Sequence, residues 1–298
     1  MTADNAFELK EPLTDIESPH LLIALQPWID VGSVGTMALA FLEQQWDANE
    51  IGKLERPGIF YDFSRYRPML FRREGERHVA VPNTFLRHAR SPSGDDWLFL
   101  HGLEPHSHGE DYVEAVFALL SRFGVRQYTL IGSMYAPVPH TRDPIASGGA
   151  ASDDLRGRLQ GAGVRESNYE GPTTILATMP QMASAEGIET ASIIVQLPAY
   201  IQLERDYCGA ETLLQLLSRA YSLELDLGPL QEESARQRTA TLASVADNPQ
   251  LQSMVAELER VYDAERPAQA VEDPDAAPLS PELEGFLKDV QAGLEDGG

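Results

Sequence analysis

The chain has a single cysteine, Cys208, among 298 residues. One cysteine excludes an intrachain disulfide and any zinc site that is built from several cysteines. Folding therefore does not depend on an oxidising compartment. A small buried side chain is the interpretation that we favour for Cys208, because free cysteine is among the most buried residue types.

Basic residues are also scarce, with 23 Lys and Arg against 46 Asp and Glu, which gives a net charge of -23. Nucleic acid is therefore not an expected partner, because phosphate binding needs clustered basic side chains. The chain has no run of ~18 apolar residues, and its first residues lack the basic and apolar regions of a secretory signal. We therefore expect no membrane insertion and a cytoplasmic location.

Short apolar runs alternate with helical patterns from about residue 21 to residue 228. Residues 21–25 form one such run, and the pattern that follows is helical through Met37, Leu39 and Leu42. Further strands are predicted at 51–54, 68–72, 78–81, 97–100, 128–131 and 191–197, and helices at 112–123, 153–160, 174–185 and 211–221. This order predicts an α/β fold with a largely parallel sheet covered on both faces. A hairpin turn at 73–76 is expected to add an antiparallel part, which makes the sheet mixed.

The composition divides the chain into four parts. Residues 1–20 are an N-terminal segment, and residues 21–228 are the α/β core domain. Residues 229–265 form a helical extension of two polar helices, broken near Pro249 because proline disfavours helix at the residue before it. Residues 266–298 are predicted to be an acidic, flexible tail, in which 281–294 has the pattern of one short helix.

Gly32, Ser33 and Gly35 follow a predicted strand and precede a helix, so their amide groups are a candidate anion-binding site. The segment lacks the lysine of a P-loop and the glycine spacing of a dinucleotide fingerprint. The alternative, which these absences favour, is a set of glycines that allows a tight turn and close helix packing.

Histidines cluster after the strand predicted at 97–100, at His101, His106 and His108. With Glu104 they are the residue types of a zinc site. His106 and His108 project in opposite directions in an extended segment, however, and no fourth ligand is anchored nearby. We therefore favour a solvated loop and expect neither a metal nor a cofactor.

Five polar residues in loops after predicted strands form a candidate ligand pocket: Glu104, His140, Arg142, Tyr169 and Glu170. In such a pocket Arg142 would bind an anion, and His140 or Glu170 would transfer protons. The same residue types also build salt bridges that hold loops together. No catalytic residue is assigned, because no nucleophile has an evident activating base.

Several segments between residues 21 and 217 together resemble the proteasome assembly chaperone family, in the bacterial branch related to the second eukaryotic assembly chaperone. They are Leu22-Ile23-Ala24 with Trp28, Asp30 and Gly32, Tyr61-Asp62-Phe63 with Arg67-Pro68, Gly102-Leu103-Glu104-Pro105, Val138-Pro139-His140-Thr141-Arg142, and Tyr169-Glu170-Gly171-Pro172-Thr173. The resemblance implies a phosphorylase/hydrolase-like three-layer α/β/α core and a homo-oligomer, with a trimer favoured. Two departures are Thr174, where a glycine is expected, and an end at Gly298 without the hydrophobic-Tyr motif of relatives that dock on the proteasome.

Two functions remain open on this basis. The first is a non-enzymatic protein-interaction or assembly-chaperone-like protein, which binds further copies of itself and an unknown protein partner. The second is a small-molecule hydrolase, phosphorylase or ligand sensor, with a pocket at the C-terminal ends of the strands.

Overall fold

The computed structural model describes residues 6–10, 16–246 and 248–265. The predicted acidic tail at 266–298 lies outside the described residues. Within them, no helix is both long and apolar enough to cross a membrane.

The described residues form eleven strands and seven α-helices. The strands are β1 (Phe7–Leu9), β2 (His20–Gln26), β3 (Asn49–Leu54), β4 (Met69–Arg73), β5 (Glu76–Ala80), β6 (Phe85–Arg90), β7 (Asp96–Leu103), β8 (Gln127–Ala136), β9 (Ala146–Ala150), β10 (Arg165–Glu166) and β11 (Glu189–Pro198). The helices are α1 (Val34–Gln45), α2 (Gly109–Arg122), α3 (Asp153–Ala162), α4 (Met179–Ala185), α5 (Tyr207–Tyr221), α6 (Gly228–Ala246) and α7 (Pro249–Glu265).

Nine of these strands form one mixed sheet in the order β1-β3-β6-β7-β2-β8-β11-β9-β10. The four central strands, β7, β2, β8 and β11, run parallel to one another. The antiparallel pairs join β1, β3, β6 and β7 on one side and β11 with β9 on the other. The prediction of an α/β fold with a mixed sheet is confirmed.

Strand β2 shows why the centre of the sheet is apolar on both faces. Leu22 and Ala24 pack into a core with α1, α3 and α5, whereas Leu21, Ile23 and Leu25 face a second core with α2 and α4. Side chains alternate between the two faces of a strand, so a strand covered on both sides has no polar face. Burying each of these leucine and isoleucine side chains stabilises the fold by about 1.5–3 kcal/mol. The predicted three-layer α/β/α arrangement follows from these two cores.

Two predicted elements differ in the structure, and four strands, β1, β6, β9 and β10, were not predicted. The hairpin of β4 and β5 forms a separate two-stranded sheet, and the antiparallel part of the large sheet comes from β1, β3 and β6 instead. The helix predicted at 174–185 begins as a 3-10 turn at Ile175–Thr178, and regular α-helix starts only at Met179. Pro180 explains the later start, because it has no N–H and is tolerated only in the first turn of a helix.

The C-terminal extension consists of α6 and α7, which meet at Asn248 and Pro249 as predicted. Helix α6 packs on α5, and Leu230 joins the core beneath it. Helix α7 buries Val255, Leu258 and Tyr262, at spacings of three and four residues that place them on one side of the helix. The extension is therefore packed against the α/β core.

Candidate functional site

The loops that follow β2, β7, β8 and β11 all leave the same edge of the sheet, because these four strands are parallel. Open α/β sheets usually place ligands at this edge. The loop after β8, residues 137–145, carries His140 and Arg142. The loop after β11, residues 199–206, carries Tyr200 and Asp206.

Helix α7 lies against the loop after β8 and binds its polar side chains. Arg142 donates to Asp263 through Nε (2.9 Å) and Nη2 (2.7 Å), and its Nη1 lies 3.0 Å from Glu259 Oε1. The hydroxyl of Thr141 donates to the same carboxylate of Glu259. Tyr262 packs on the loop and donates its hydroxyl to the carbonyl of Asp143 at 2.9 Å. Arg142, the proposed anion-binding residue, therefore already binds two carboxylates of the same chain.

His140 is held by Tyr200 from the neighbouring loop. The Tyr200 hydroxyl accepts from the backbone N–H of His140 at 2.9 Å and lies 2.8 Å from Nδ1. If the hydroxyl donates to Nδ1, the proton of the neutral ring sits on Nε2. Burial lowers the pKa of His140, which favours this neutral form at neutral pH. Nε2 is buried and has no hydrogen-bond partner among the described residues.

A small cleft lies between these two loops and α6, and His140 and Arg142 are among its walls. Its cavity volume is about 40 Å³, which holds a few water molecules and not a metabolite. Cys208 also lines the cleft, but burial raises the pKa of its thiol, so it is a poor nucleophile. The arrangement lacks the open volume that a substrate would need.

The other three residues of the candidate pocket have different surroundings. Glu104 accepts a hydrogen bond from the backbone N–H of Ile175 at 2.9 Å, while its Oε2 is buried without a described partner. Burial raises the pKa of this carboxyl. Tyr169 is half-exposed and donates to the carbonyl of Pro172 at 2.9 Å. Glu170 is exposed.

The five predicted residues are therefore not assembled into one described site. His140 and Arg142 share a cleft, whereas Glu104, Tyr169 and Glu170 are not among the residues that line it. The observed contacts of Arg142 are salt bridges that hold its loop in place, which was the alternative to anion binding. A ligand role for any of the five stays a prediction.

The candidate anion site lies at the start of α1, where the Asp30 carboxylate accepts from Gly35 and the Asp30 carbonyl accepts from the backbone N–H of Ser33 at 2.9 Å. Asp30 Oδ1 accepts from the backbone N–H of Gly35 at 2.6 Å, and Oδ2 accepts from the hydroxyl of Thr36 at 2.5 Å. Ser33 adopts a positive φ of 53° and makes no side-chain cap, which is why Asp30 takes that role. An external anion would have to displace this buried carboxylate, so anion binding at Gly32, Ser33 and Gly35 stays a prediction.

The histidines of the histidine-rich segment are not grouped as the ligands of a metal ion would be. His101 Nε2 is 2.5 Å from the buried carboxylate of Glu43, and His108 pairs with Asp111 at 3.1 Å on the surface. Across the described part of the chain, no three His, Cys, Asp or Glu side chains are grouped as a metal would require. The solvated-loop interpretation suits His106 and His108, which are both exposed.

Arg142→Ala is expected to loosen α7, because it removes three hydrogen bonds to Glu259 and Asp263 at once. Hydrogen exchange of the α7 backbone amides should speed up by about tenfold or more, since local opening sets their protection. Arg260→Ala is the matched control, because Arg260 pairs only with Glu257 on the same exposed face of α7 in the described contacts. Equal exchange in both variants would contradict a docking role for Arg142.

The model of the PAC2 family matches residues 24–243. The chain belongs to the PAC2 family. The match includes the end of β2, all of β7, β8 and β11, and most of α6, and it confirms the predicted resemblance to the proteasome assembly chaperone family. No curated protein matches the chain significantly.

Solved structures of similar fold come from several organisms. A protein of unknown function from Corynebacterium glutamicum ATCC 13032 has a TM-score of 0.78 and 21% identity, with 88% of this chain and 98% of that chain covered. Mycobacterium tuberculosis Rv2714, also of unknown function, has a TM-score of 0.77 and 26% identity, with 89% and 91% covered. The proteasome-assembly chaperone homologue Rv2125 of the same organism has a TM-score of 0.70 and 24% identity, with 79% and 99% covered.

Proposed function

We propose that this PAC2 family protein is a cytoplasmic, non-enzymatic binding protein of the assembly-chaperone type, which binds further copies of itself and a second protein. One observation carries the proposal. Thr141 and Arg142, in the loop after β8, bind carboxylates of α7 in the same chain, and the cleft beside them holds only about 40 Å³. A substrate has little room in this cleft, which lies at the edge of the sheet where an enzyme of this fold class would bind it.

The relatives support a role in protein binding only in general terms. Rv2125 is named as a proteasome-assembly chaperone homologue, and the other two structures are of proteins of unknown function. A shared fold does not carry a partner from one protein to another. We therefore propose protein binding as the class of activity. Of the second protein we propose only the charge of its surface.

The charge of the chain favours a basic partner surface. With a net charge of -23, the protein attracts positively charged surfaces over distances comparable to the Debye length. Association with such a partner should be fast at low salt and slow as the salt concentration rises. The charge also opposes self-association unless a basic segment is placed at the contact.

A second candidate function has specific observations in its favour. His140 Nε2 is a buried polar atom without a described partner, and it belongs to a residue that lines the cleft. Glu104 Oε2 is likewise buried and unpartnered. Buried polar atoms usually have partners, and a bound molecule or water would supply them. A ligand sensor, or a hydrolase or phosphorylase of small molecules, would use one or both of these atoms to bind its ligand.

Native mass spectrometry of the freshly purified chain separates the two functions. The binding-protein proposal expects an oligomer, with a trimer favoured, whose mass equals a whole number of chains without any retained small molecule. A metabolite retained at one copy per chain would overturn it in favour of the sensor or enzyme. His140→Ala provides the control, because it should abolish retention of a ligand at the cleft and leave the oligomer unchanged.

A further inference from the structure

His20, the first residue of β2, lies at the amino-terminal edge of the sheet, opposite the edge that carries the cleft. Its side chain shares the face of Leu22 and Ala24, because alternate residues of a strand point to one side. There the imidazole ring stacks on Trp97 of β7, with ring centroids 4.8 Å apart, and meets the edge of the Tyr221 ring of α5 at 5.9 Å. The ring therefore joins β2, β7 and α5 at this edge.

The hydrogen bonding of the His20 ring requires its neutral form. Arg126 Nη2 lies 3.0 Å from His20 Nε2, and a guanidinium group can only donate. Nε2 must therefore accept with its lone pair, which places the ring proton on Nδ1. Nδ1 is buried and has no hydrogen-bond partner among the described residues. A second proton on the ring, at Nε2, would remove the hydrogen bond and place a positive charge against the guanidinium group of Arg126.

Four charged side chains from four parts of the chain act on the His20 ring. Arg126, just before β8, and Arg158 of α3 oppose a positive charge on the ring. Asp95, just before β7, and Glu189 of β11 favour such a charge. Burial of the ring has the largest influence and Arg126 the next, and the balance of all of these lowers the pKa of His20 to about 4.

Tyr221, the titratable neighbour on α5, does not compensate a charge on the ring. Its hydroxyl is hydrogen-bonded to Gln127 at 2.7 Å and to Thr129, and burial raises its pKa, so the phenol is uncharged from acid to neutral pH. The surroundings of His20 therefore suit a neutral imidazole and disfavour an imidazolium ion. A charged ring gains water only by leaving its stack on Trp97.

We infer that His20 is an acid-sensitive latch, which holds the start of β2 against β7 and α5 while its ring is neutral and releases it once the ring is protonated. A released ring in water has the ordinary pKa of 6.5, whereas the stacked ring has a pKa of about 4. The released state therefore binds more protons between these two values. The latch is most stable above pH 6.5, and the ratio of released to stacked rings rises by up to about tenfold for each pH unit below it, until about pH 4.

Hydrogen exchange of the full chain at pH 7 and pH 5, corrected for the intrinsic exchange rates of the amides, tests the latch. Local opening sets the protection of an amide, so opening at the start of β2 and the end of α5 should increase by about twentyfold between the two pH values. In His20→Gln the amide oxygen can accept from Arg126 but does not titrate, so the increase should fall to about twofold or less. His108→Asn is the matched control, because His108 is exposed and asparagine tolerates its φ of 53°. This variant should retain the wild-type increase.

A second variant keeps the test decisive if His20→Gln does not fold. Arg126 is exposed, so Arg126→Gln is expected to fold, and it keeps a donor for His20 Nε2 while it removes the charge. Its increase between pH 7 and pH 5 should be smaller than that of the wild type. Helix α2 packs on the other face of the sheet, and its exchange measures the acid response of the rest of the fold. Equal opening of the wild type at the two pH values would overturn the latch. An increase that α2 shares equally, or one that the variants at positions 20 and 126 leave intact, would overturn it as well.

Discussion

Replacing Gly132 by alanine is expected to lower the free energy of unfolding by about 3 kcal/mol or more. A Cβ atom at this position would lie 1.9 Å from the carbonyl oxygen of Ile29, far inside van der Waals contact. The carbonyl cannot withdraw freely, because it accepts a hydrogen bond of 2.7 Å from the backbone N–H of Ser133. The loop that positions Asp30 therefore crosses β8 at a point where only glycine fits.

Gly149→Ala is the matched control for this prediction. Gly149 also lies in a strand, β9, but a Cβ atom there would meet nothing within 4 Å. Its effect should stay within about 0.5 kcal/mol, as for most surface substitutions. Urea unfolding followed by tryptophan fluorescence measures both variants. Similar losses in the two variants would show that the clash with Ile29 does not decide the effect, because the reduced flexibility of the unfolded chain would by itself stabilise both variants.

The centre of the fold could be predicted because its strands are apolar without interruption. In β2 the five residues from Leu21 to Leu25 are buried on both faces, and a run of this kind between turn residues indicates a covered strand. The two helices of the extension were predictable from their polar pattern and the break at Pro249. The hairpin turn was predictable from Gly75, which adopts a φ of 86°.

Strands β6 and β9 could not be found from local sequence. In β6, His88 and Arg90 bind the buried carboxylate of Asp96, and Arg87 pairs with Glu43 on α1. Its polar side chains therefore have partners that only the folded chain provides. Strand β9 consists of small residues with low strand propensity, and Gly148 is needed there because a Cβ would lie 1.8 Å from the Ser192 carbonyl.

The candidate site was only partly predictable for a related reason. His140 and Arg142 were identified because they follow a strand, and they do line one cleft. The partners of Arg142 lie on α7, 117 and 121 residues further along the chain, and residue type alone cannot pair groups at such separation. Tyr200 and Asp30 were not identified as site residues. A carboxylate six residues before Thr36, at the start of a predicted helix, is the signal that could have indicated the Asp30 cap.

Replacing Asp30 by alanine is expected to lower the free energy of unfolding by about 2–4 kcal/mol. The substitution leaves the backbone N–H groups of Gly35 and Thr36 and the Thr36 hydroxyl without their acceptor. Asp30 and Gly35 are buried, so water cannot easily replace the lost hydrogen bonds. Thermal and urea unfolding of the purified variant measure the loss.

Asp30→Asn distinguishes the hydrogen bonds of Asp30 from its charge. Asparagine keeps an acceptor for Gly35, so its cost should be about 1 kcal/mol or less, well below that of alanine. Burial raises the pKa of Asp30, so the native state binds the proton more tightly than the unfolded state does. The stability that this proton contributes is present at low pH and is lost as pH rises through the raised pKa. Relative to Asp30→Asn, the wild type should therefore lose stability as the pH rises above about 4, the range in which a free aspartate titrates, and through the raised pKa of Asp30.

Inorganic phosphate then tests the candidate anion site directly. In Asp30→Ala the amide groups at the start of α1 are without their carboxylate, and a bound phosphate could take its place. If Gly32, Ser33 and Gly35 form an anion site, phosphate should raise the melting temperature of Asp30→Ala more than that of the wild type, in which the Asp30 carboxylate occupies the N–H groups of Gly35 and Thr36. An equal response of both proteins to phosphate and to sodium chloride at matched ionic strength would leave the glycines with a role in packing alone. Equal destabilisation by Asp30→Ala and Asp30→Asn would instead mean that the negative charge of Asp30, and not its hydrogen bond to Gly35, stabilises this turn.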